Sequence, residues 1–518
     1  MAGDFVTDLD GPCDQKEMLM NAKRAVKVAF AVISSAVVAV CCGHVNRGAT
    51  SAITKKNGID GYAEPRIPPA CVTLLATKSA DANDFLNPAD EATTDTDRIQ
   101  SAIRSCPAGQ AVKLQADGTK NAFMSGPLTM VSGVTLWIDA HTTLFASRDP
   151  RAFDVEPGGC GTDEFDDSGG CRPLILVDTV EDVGVVGEGA IHGRGGEPMV
   201  GGSATWWDVA QHAKLTASKH SNPRLIEVKK ATNFTLYKVK IYDSPKFHVV
   251  INARGFVVWG ITMITPVRPR NSQGRALGPH YARNTDGVDP SAASNGVIAY
   301  SYISVGDDQI AIKGGNAGPT EYVTIAHNRF GTGHGMSIGS ETNGGVNNIL
   351  VYDLSIDGAV DSGGMPNVDL NGLRIKSDSS RGGVVDRITY RDVCIRDMVN
   401  PILISPFYSR ATGGMIPDYR NIVMENVRAF RTPGSKVSPP VVTLRGYDAD
   451  HLMQLTLDNV VVEDPSPIVM KAEYVSVKVG PGGSNLKPAG NGVFLTAAGN
   501  AAATPNACEG KFGLPPGH

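Results

Sequence analysis

The chain has 518 residues, a formal net charge of −5, 58 Gly and 32 Pro, and only 6% aromatic side chains. This composition favours a turn-rich β protein, and the charge argues against a nucleic-acid partner, which would require a basic face. No linker divides the middle of the chain, so one elongated solenoid accounts for the length as well as two globular domains do.

The first 45 residues contain a short apolar run, VAFAVISSAVVAVCC (28–42), preceded by Lys23, Arg24 and Lys27. This run is too short for a comfortable membrane span and has the length of a secretory signal. We expect a signal peptide or an N-terminal anchor at 1–45, with a translation start that could lie downstream of Met1, and a linker at 46–70. The pattern predicts a secreted protein, which we expect to be a monomer.

Beyond this segment the chain has an even set of cysteines: Cys71, Cys106, Cys160, Cys171, Cys394 and Cys508. An even number in an exported chain indicates disulfides. Cys160 and Cys171 could close a small loop, and the other pairings stay open. No spacing of Cys and His indicates zinc.

A repeat of eleven residues with alternating apolar side chains occurs eight times. The repeats begin at Asn233, Gly255, Gly296, Tyr322, Asn348, Arg387, Asn421 and Gln454. The step from the first start to the second is 255 − 233 = 22 residues, which is the length of a solenoid coil rather than of a hairpin. Each repeat is typical of two short strands joined by a bend, and none could bury its apolar face alone.

Stacking these units predicts an all-β fold, a single-stranded right-handed parallel β-helix, over 71–465. An antiparallel sandwich is the alternative, but it does not explain the spacing. Three loops, 266–283, 359–370 and 405–420, lengthen individual coils, and loops on one side of a solenoid form a groove. The segment 466–518 has little apolar periodicity and is expected to be a loosely packed tail.

Four polar motifs each precede or enter a short strand: NTDGVDP (284–290), DDQIAIKGG (307–315), GHGMSIGSE (333–341) and NGLRIKSD (371–378). We align them on their first apolar strand residues, which are Val288, Ile310, Met336 and Leu373. Asp286, Asp308, His334 and Asn371 then share one coil position. Stacked coils lie about 4.8 Å apart, so these residues are predicted to be neighbours.

The predicted cluster has the groups that glycoside hydrolysis requires. One carboxylic acid protonates the leaving oxygen, and one or two carboxylates, from Asp286, Asp307 and Asp308, deprotonate a water. Crowding raises the proton affinity of one member. Arg374 and Lys376, which lie further along, supply positive charge for an anionic sugar.

The motifs NTD, DD, GHG and RIK, in this order and on a matching repeat, resemble those of the polygalacturonases of glycoside hydrolase family 28. The similarity extends from about Cys71 to about Asp464. The resemblance implies hydrolysis of α-1,4 linkages in polygalacturonate with inversion. Nothing in the sequence indicates a metal or other cofactor. A polysaccharide is then the expected partner.

The resemblance also implies a role for each matching residue. Asp307 matches the general acid, Asp286 and Asp308 match the pair that activates water, and His334 matches the histidine that supports protonation of the acid. The residues matched to substrate binding or its support are Asn284, Arg374, Lys376 and Tyr408.

Several alternatives stay open. Other pectin-active enzymes, such as a rhamnogalacturonan hydrolase or a calcium-dependent lyase, share the fold, and Asp307 and Asp308 could instead bind calcium. A noncatalytic adhesin or tailspike-like fibre would not need the acid cluster. Endo action is favoured, because no extra N-terminal domain of the kind found in some exo-acting relatives is evident, although loop 266–283 is long enough to close a groove.

Overall fold

A computed structural model describes residues 62–164, 170–358, 371–497 and 503–513. By its internal contacts the chain divides into units 1–49 and 50–518, and all the described residues belong to the second unit. The predicted signal or anchor, residues 46–61 of the predicted linker and the predicted loop 359–370 lie outside the described residues. In the described part, no helix is long and apolar enough to cross a membrane.

Strands dominate the described residues. In chain order the strands are Ala70–Leu75, Gln110–Gln115, Ala122–Ser125, Leu128–Thr129, Val134–Ile138, Thr143–Ala146, Ile175–Asp178, Glu181–Val186, Ala190–His192, Ile226–Tyr237, Lys240–Tyr242, Val249–Trp259, Thr262–Ile264, Val288–Pro290, Ser294–Ala299, Tyr302–Ser304, Ile310–Ile312, Thr320–Ala326, Arg329–Phe330, Met336–Ile338, Val346–Asp357, Asn371–Lys376, Val384–Arg396, Asn400–Ser405, Asp418–Phe430, Val441–Arg445, Met453–Glu463, Val469–Glu473, Val475–Val479 and Val493–Ala497. The helices are Thr96–Ser105, Pro150–Phe153 and Trp206–Thr216, with 3₁₀ turns at Pro88–Ala92 and Pro279–Tyr281.

The strands pair in parallel with their counterparts on the neighbouring coils, as a β-helix requires. The predicted alignment of the motifs is confirmed, since Val288 pairs with Ile310, Ile310 with Met336, and Met336 with Leu373. We call the stack that contains these residues the site face. Its inward side chains are fully buried and form part of one continuous apolar core.

Left-handed bends explain why several of the repeats open with Asn or Gly. Asn233, Gly255 and Asn348 have φ values of 57°, 79° and 55°, in the left-handed region that Gly and Asn tolerate best. A second bend follows inside each repeat, for example at Lys238 with φ of 61°. These left-handed residues turn the chain from one face to the next.

The strands continue beyond the predicted boundary at residue 465. Val469–Glu473 pairs with Val441–Arg445, and Val475–Val479 pairs with Val493–Ala497, so the prediction of a loosely packed tail from 466 was wrong for this part. These strands are short and alternate with Lys, Ser and Glu on the outward side, which weakens their apolar signal. At the other end of the described chain, residues of the predicted linker contact the β-helix, as the 2.5 Å hydrogen bond from Tyr237 to Glu64 shows.

Three disulfides join the cysteines of the described residues: Cys71–Cys106, Cys160–Cys171 and Cys394–Cys508. The small loop expected between Cys160 and Cys171 is confirmed. Near the start of the β-helix, the helix Thr96–Ser105 buries Ile99 and Ile103 in the core beside the first strands.

Candidate active site

The candidate catalytic groups lie where successive loops enter the site face. Asp286, Asp308 and His334 each stand two residues before an aligned strand residue, and backbone hydrogen bonds join their segments. Asp286 is 5% exposed and Asp308 is 1% exposed, so both carboxyls are largely removed from water. The fold thus brings together residues that are distant in the chain.

Asp307 is paired with His334. The imidazole Nδ1 of His334 lies 3.0 Å from Oδ1 of Asp307, and the backbone N–H of Asn284 donates to Oδ2 at 3.3 Å. Burial alone would raise the pKa of Asp307, but the charge and hydrogen bond of His334 outweigh burial and hold this pKa well below its usual range. Burial opposes protonation of His334, yet the charge of Asp307 raises the pKa of the imidazole.

Asp308 is held as a carboxylate by three donors. Lys376 Nζ lies 2.6 Å from Oδ2, while Ser337 Oγ and Arg374 Nη1 lie 2.6 Å and 3.4 Å from Oδ1. Burial would raise the pKa of Asp308, but the charges of Lys376 and Arg374 lower it. The two basic residues predicted to bind a substrate carboxylate therefore compensate the charge of Asp308 in this structure.

Asp286 has the opposite electrostatic environment. Burial raises its pKa well above the usual range, and the charges of Asp289 and Asp307 add to this effect. Asp289 is 1% exposed, and burial raises its pKa to about 6 although Lys313 opposes the shift. The crowding predicted to raise the proton affinity of one carboxyl thus acts on Asp286 rather than on Asp307.

Tyr408 lies beside the two cations at the far side of the cluster. Its ring is 5.0 Å from Lys376 Nζ and 5.5 Å from Arg374 Cζ, and the residue is 45% exposed. An exposed ring with cations beside it offers both an apolar face and positive charge to a ligand. Asn371, although at the predicted coil position, accepts a hydrogen bond from Asn400 at 3.1 Å on the next coil.

Asp289, Lys313 and Ser337 also belong to this cluster and were not predicted from the sequence. The alignment of the motifs contains the pattern that indicates these three residues. Lys313 stands three residues after Ile310 just as Lys376 stands three residues after Leu373, and Asp289 and Ser337 occupy the position of Arg374. Comparing the outward residues of the aligned strands, rather than the motifs alone, would have found them.

Donor atoms of Asp307, Asp308 and His334 lie within 4.8 Å of one another, a spacing that a metal ion could bridge. Protein groups already engage these atoms, since His334 pairs with Asp307 while Lys376 and Arg374 pair with Asp308. A cation at this place would compete with two basic side chains, so the donor set fits a metal poorly.

Comparison with known proteins identifies the family. The model of the glycosyl hydrolases family 28 matches residues 83–480. The chain belongs to family 28. It is therefore a glycoside hydrolase, and a noncatalytic fibre is not supported.

Two curated relatives in family 28 cover most of the chain. A polygalacturonase of Ralstonia solanacearum is 42% identical over 445 residues, which are 80% of this chain and 82% of that relative. An endo-polygalacturonase of Pectobacterium parmentieri is 39% identical over 402 residues, 77% of this chain and 88% of that relative.

Among solved structures, the polygalacturonase from Erwinia carotovora ssp. carotovora matches with a TM-score of 0.67 and 37% identity. The match covers 80% of this chain and 98% of that one. It confirms the right-handed parallel β-helix that the repeats predicted.

Proposed function

We propose that this family 28 enzyme hydrolyses α-1,4 linkages of polygalacturonate by an inverting acid/base mechanism, as a secreted, endo-acting monomer. The observation that carries the proposal is the register of the site face, which places Asp286, Asp307–Asp308 and His334 on consecutive coils. The relatives named polygalacturonase support the substrate. The disulfides fit an oxidising compartment, and so they support secretion.

In this mechanism Asp307 protonates the glycosidic oxygen, while Asp286 and Asp308 remove a proton from the attacking water. Asp307 is held as a carboxylate next to a histidine whose pKa is raised, so the two groups together carry one proton. Transfer of this proton from His334 Nδ1 to Asp307 Oδ1 converts the carboxylate to the acid. The proton then passes to the leaving oxygen as the bond to the anomeric carbon breaks.

Asp308 is suited to the base role because its charge is already compensated. Lys376 and Arg374 keep it ionised, so it can accept a hydrogen bond from water at the pH at which His334 is protonated. The same cations, together with the ring of Tyr408, form a place for the carboxylate of a galacturonate unit. Asn284, whose backbone N–H contacts Asp307, helps to orient the acid.

The substrate is tested by measuring reducing ends released from polygalacturonate, with and without a chelator. We expect release that the chelator does not change, and products of inverted anomeric configuration in proton NMR spectra recorded during the first turnovers. Unsaturated products would indicate a lyase. Preferential cleavage of a rhamnogalacturonan would indicate the related hydrolase.

Endo action is tested separately by product size. The endo-polygalacturonase relative supports it, and we expect medium-length oligomers early in the reaction. Loop 266–283 is fixed to preceding coils, for example by the 3.1 Å hydrogen bond from Asn271 to the backbone of Gly196. Release of monomers or dimers only, from the first minutes, would instead indicate an exo enzyme whose groove is closed.

A further inference from the structure

A partly buried lysine, Lys313, connects the candidate base Asp286 to a second buried carboxylate. Asp289 lies in the strand Val288–Pro290, and Lys313 directly follows the strand Ile310–Ile312 on the next coil. The Nζ atom of Lys313 lies 2.7 Å from Oδ2 of Asp289 and 3.6 Å from Oδ2 of Asp286. The ammonium group of Lys313 therefore forms ion pairs with both Asp289 and Asp286.

The burial of Asp286 and Asp289 makes the balance of charge around these two carboxyls important. Asp286 and Asp289 are almost inaccessible to water, and Oδ1 of each is buried without a hydrogen-bond partner in the described part of the chain. Two carboxylates in such surroundings strongly oppose ionisation of one another. The charge of Lys313 favours the ionised forms, and its removal would leave an uncompensated buried pair.

Other charged groups face the same carboxylates but are engaged elsewhere. Asp307 and Asp308 add negative potential at Asp286, while Lys376 lies near Asp289 but is bound to Asp308. Three further titratable or charged groups lie nearby. Glu341 lies near Lys313, and Arg374 and His334 lie near Asp308.

Neutral groups complete the surroundings of Asp286 and Lys313. His248 contacts the backbone oxygen of Asp286 at 3.0 Å, but burial lowers its pKa to about 4, so the ring is neutral. The ring of Phe247 lies 4.6 Å from Lys313 Nζ and covers one side of the ammonium group. Lys313 is therefore the cation available to Asp286.

We propose that Lys313 and Asp289 are positioning residues that set the charge of Asp286, with Lys313 favouring the ionised form that removes a proton from water and Asp289 opposing it. The inference rests on the proposed function, because it takes Asp286 to be a base. In the step concerned, a proton of the attacking water passes to Asp286 as the oxygen bonds to the anomeric carbon. A protonated Asp286 could not accept it.

The test is the pH dependence of kcat/KM on polygalacturonate, whose acidic limb reports ionisation of the base in the free enzyme. In Lys313→Gln the loss of a positive charge should move the acidic limb to higher pH, by about one pH unit or more. In Asp289→Asn the loss of a negative charge should move it to lower pH. The double variant should lie between the two, and Lys313→Arg should stay close to wild type.

The opposite directions separate this role from a structural one. If both single variants lose activity at every pH without moving the limb, or move it in the same direction, the proposal is overturned. Lys471→Gln is the matched control, because Lys471 lies further along the same sheet at an exposed position and should leave the profile unchanged. Thermal unfolding verifies that each variant is folded.

A second measurement does not depend on turnover. The carboxyl stretch of Asp286 is titrated by infrared difference spectroscopy, with Asp286→Asn as the reference in each background. We expect its midpoint to rise in Lys313→Gln and to fall in Asp289→Asn, and unchanged midpoints would overturn the proposal. If the wild type releases no reducing ends from polygalacturonate, the proposed function fails, whereas this titration still reports on the charge of Asp286.

Discussion

His334 Nδ1 lies 3.0 Å from Oδ1 of Asp307, so the carboxyl assigned to donate a proton is in direct contact with the ring that carries one. The pKa of the imidazole is raised and that of the carboxyl is lowered by the same contact. In the proposed mechanism the proton for the leaving oxygen is therefore stored on His334 and shared with Asp307, rather than held on an isolated acid.

Replacing His334 by Ala should move the alkaline limb of kcat/KM to lower pH and reduce kcat by about 10²–10⁴-fold. In the wild type we expect the alkaline limb to follow the raised pKa of the His334–Asp307 pair. Without the imidazole of His334 it should follow the pKa of the Asp307 carboxyl alone. The pH profile on polygalacturonate checks this. A variant with an unchanged alkaline limb would show that His334 does not hold the proton.

Asp286→Asn should inactivate the enzyme but stabilise it at neutral pH. The folded-state pKa of Asp286 is raised above its unfolded value near 3.8, so the wild type loses stability as the pH rises from about 4 through the folded pKa. Asn has no such penalty. We expect a melting temperature higher by roughly 1–3 °C at pH 7, with the difference vanishing below about pH 4. A variant less stable than wild type at pH 7 would contradict the direction of this pKa shift.

Lys376→Gln should destabilise the protein, because it leaves the buried carboxylate of Asp308 without its nearest cation. The loss in the free energy of unfolding should be about 3–5 kcal/mol at neutral pH, measured by denaturant titration. The folded-state pKa of Asp308 is lowered, so the stability that the pair contributes is lost as the pH falls below about 4. The double variant Lys376→Gln/Asp308→Asn should recover much of the loss, and no recovery would indicate that packing rather than charge is responsible.

The disulfide Cys394–Cys508 should contribute more stability than Cys160–Cys171. The first closes a sequence separation of 114 residues and the second one of 11, and the entropy removed from the unfolded chain grows with the length of the closed loop. Replacing both members of each pair by Ser should lower the free energy of unfolding by about 3–5 kcal/mol for the long loop and by less for the short one. The reverse order would contradict this account.

Much of the fold could be predicted because the repeat is encoded locally. The left-handed bends favour Asn or Gly, and the inward side chains alternate with period two, so the register Val288–Ile310–Met336–Leu373 could be predicted from the sequence. The end of the β-helix could not be located, since strands such as Val475–Val479 are defined by pairing with an earlier coil rather than by their own composition.

The sequence predicted where the candidate site lies, but not the direction in which the pKa of each carboxyl is shifted. Alignment of motifs identifies which carboxylates meet, whereas the pKa of each depends on burial and on cations that reach across coils. Lys313 is an example, because its Nζ atom extends to Asp286 and Asp289 on the preceding coil. The sequence also could not show that crowding acts on Asp286 while His334 acts on Asp307.

Asp307 is the residue on which the proposed mechanism depends most directly. The decisive measurement compares the rate of reducing-end release from polygalacturonate by Asp307→Asn with that of wild type. The affinity of each protein for the same substrate is measured alongside. The account predicts that kcat falls by several orders of magnitude, on the order of 10³-fold or more, while the substrate still binds. A variant that retained activity within about tenfold of wild type would contradict the assignment of Asp307 as the acid.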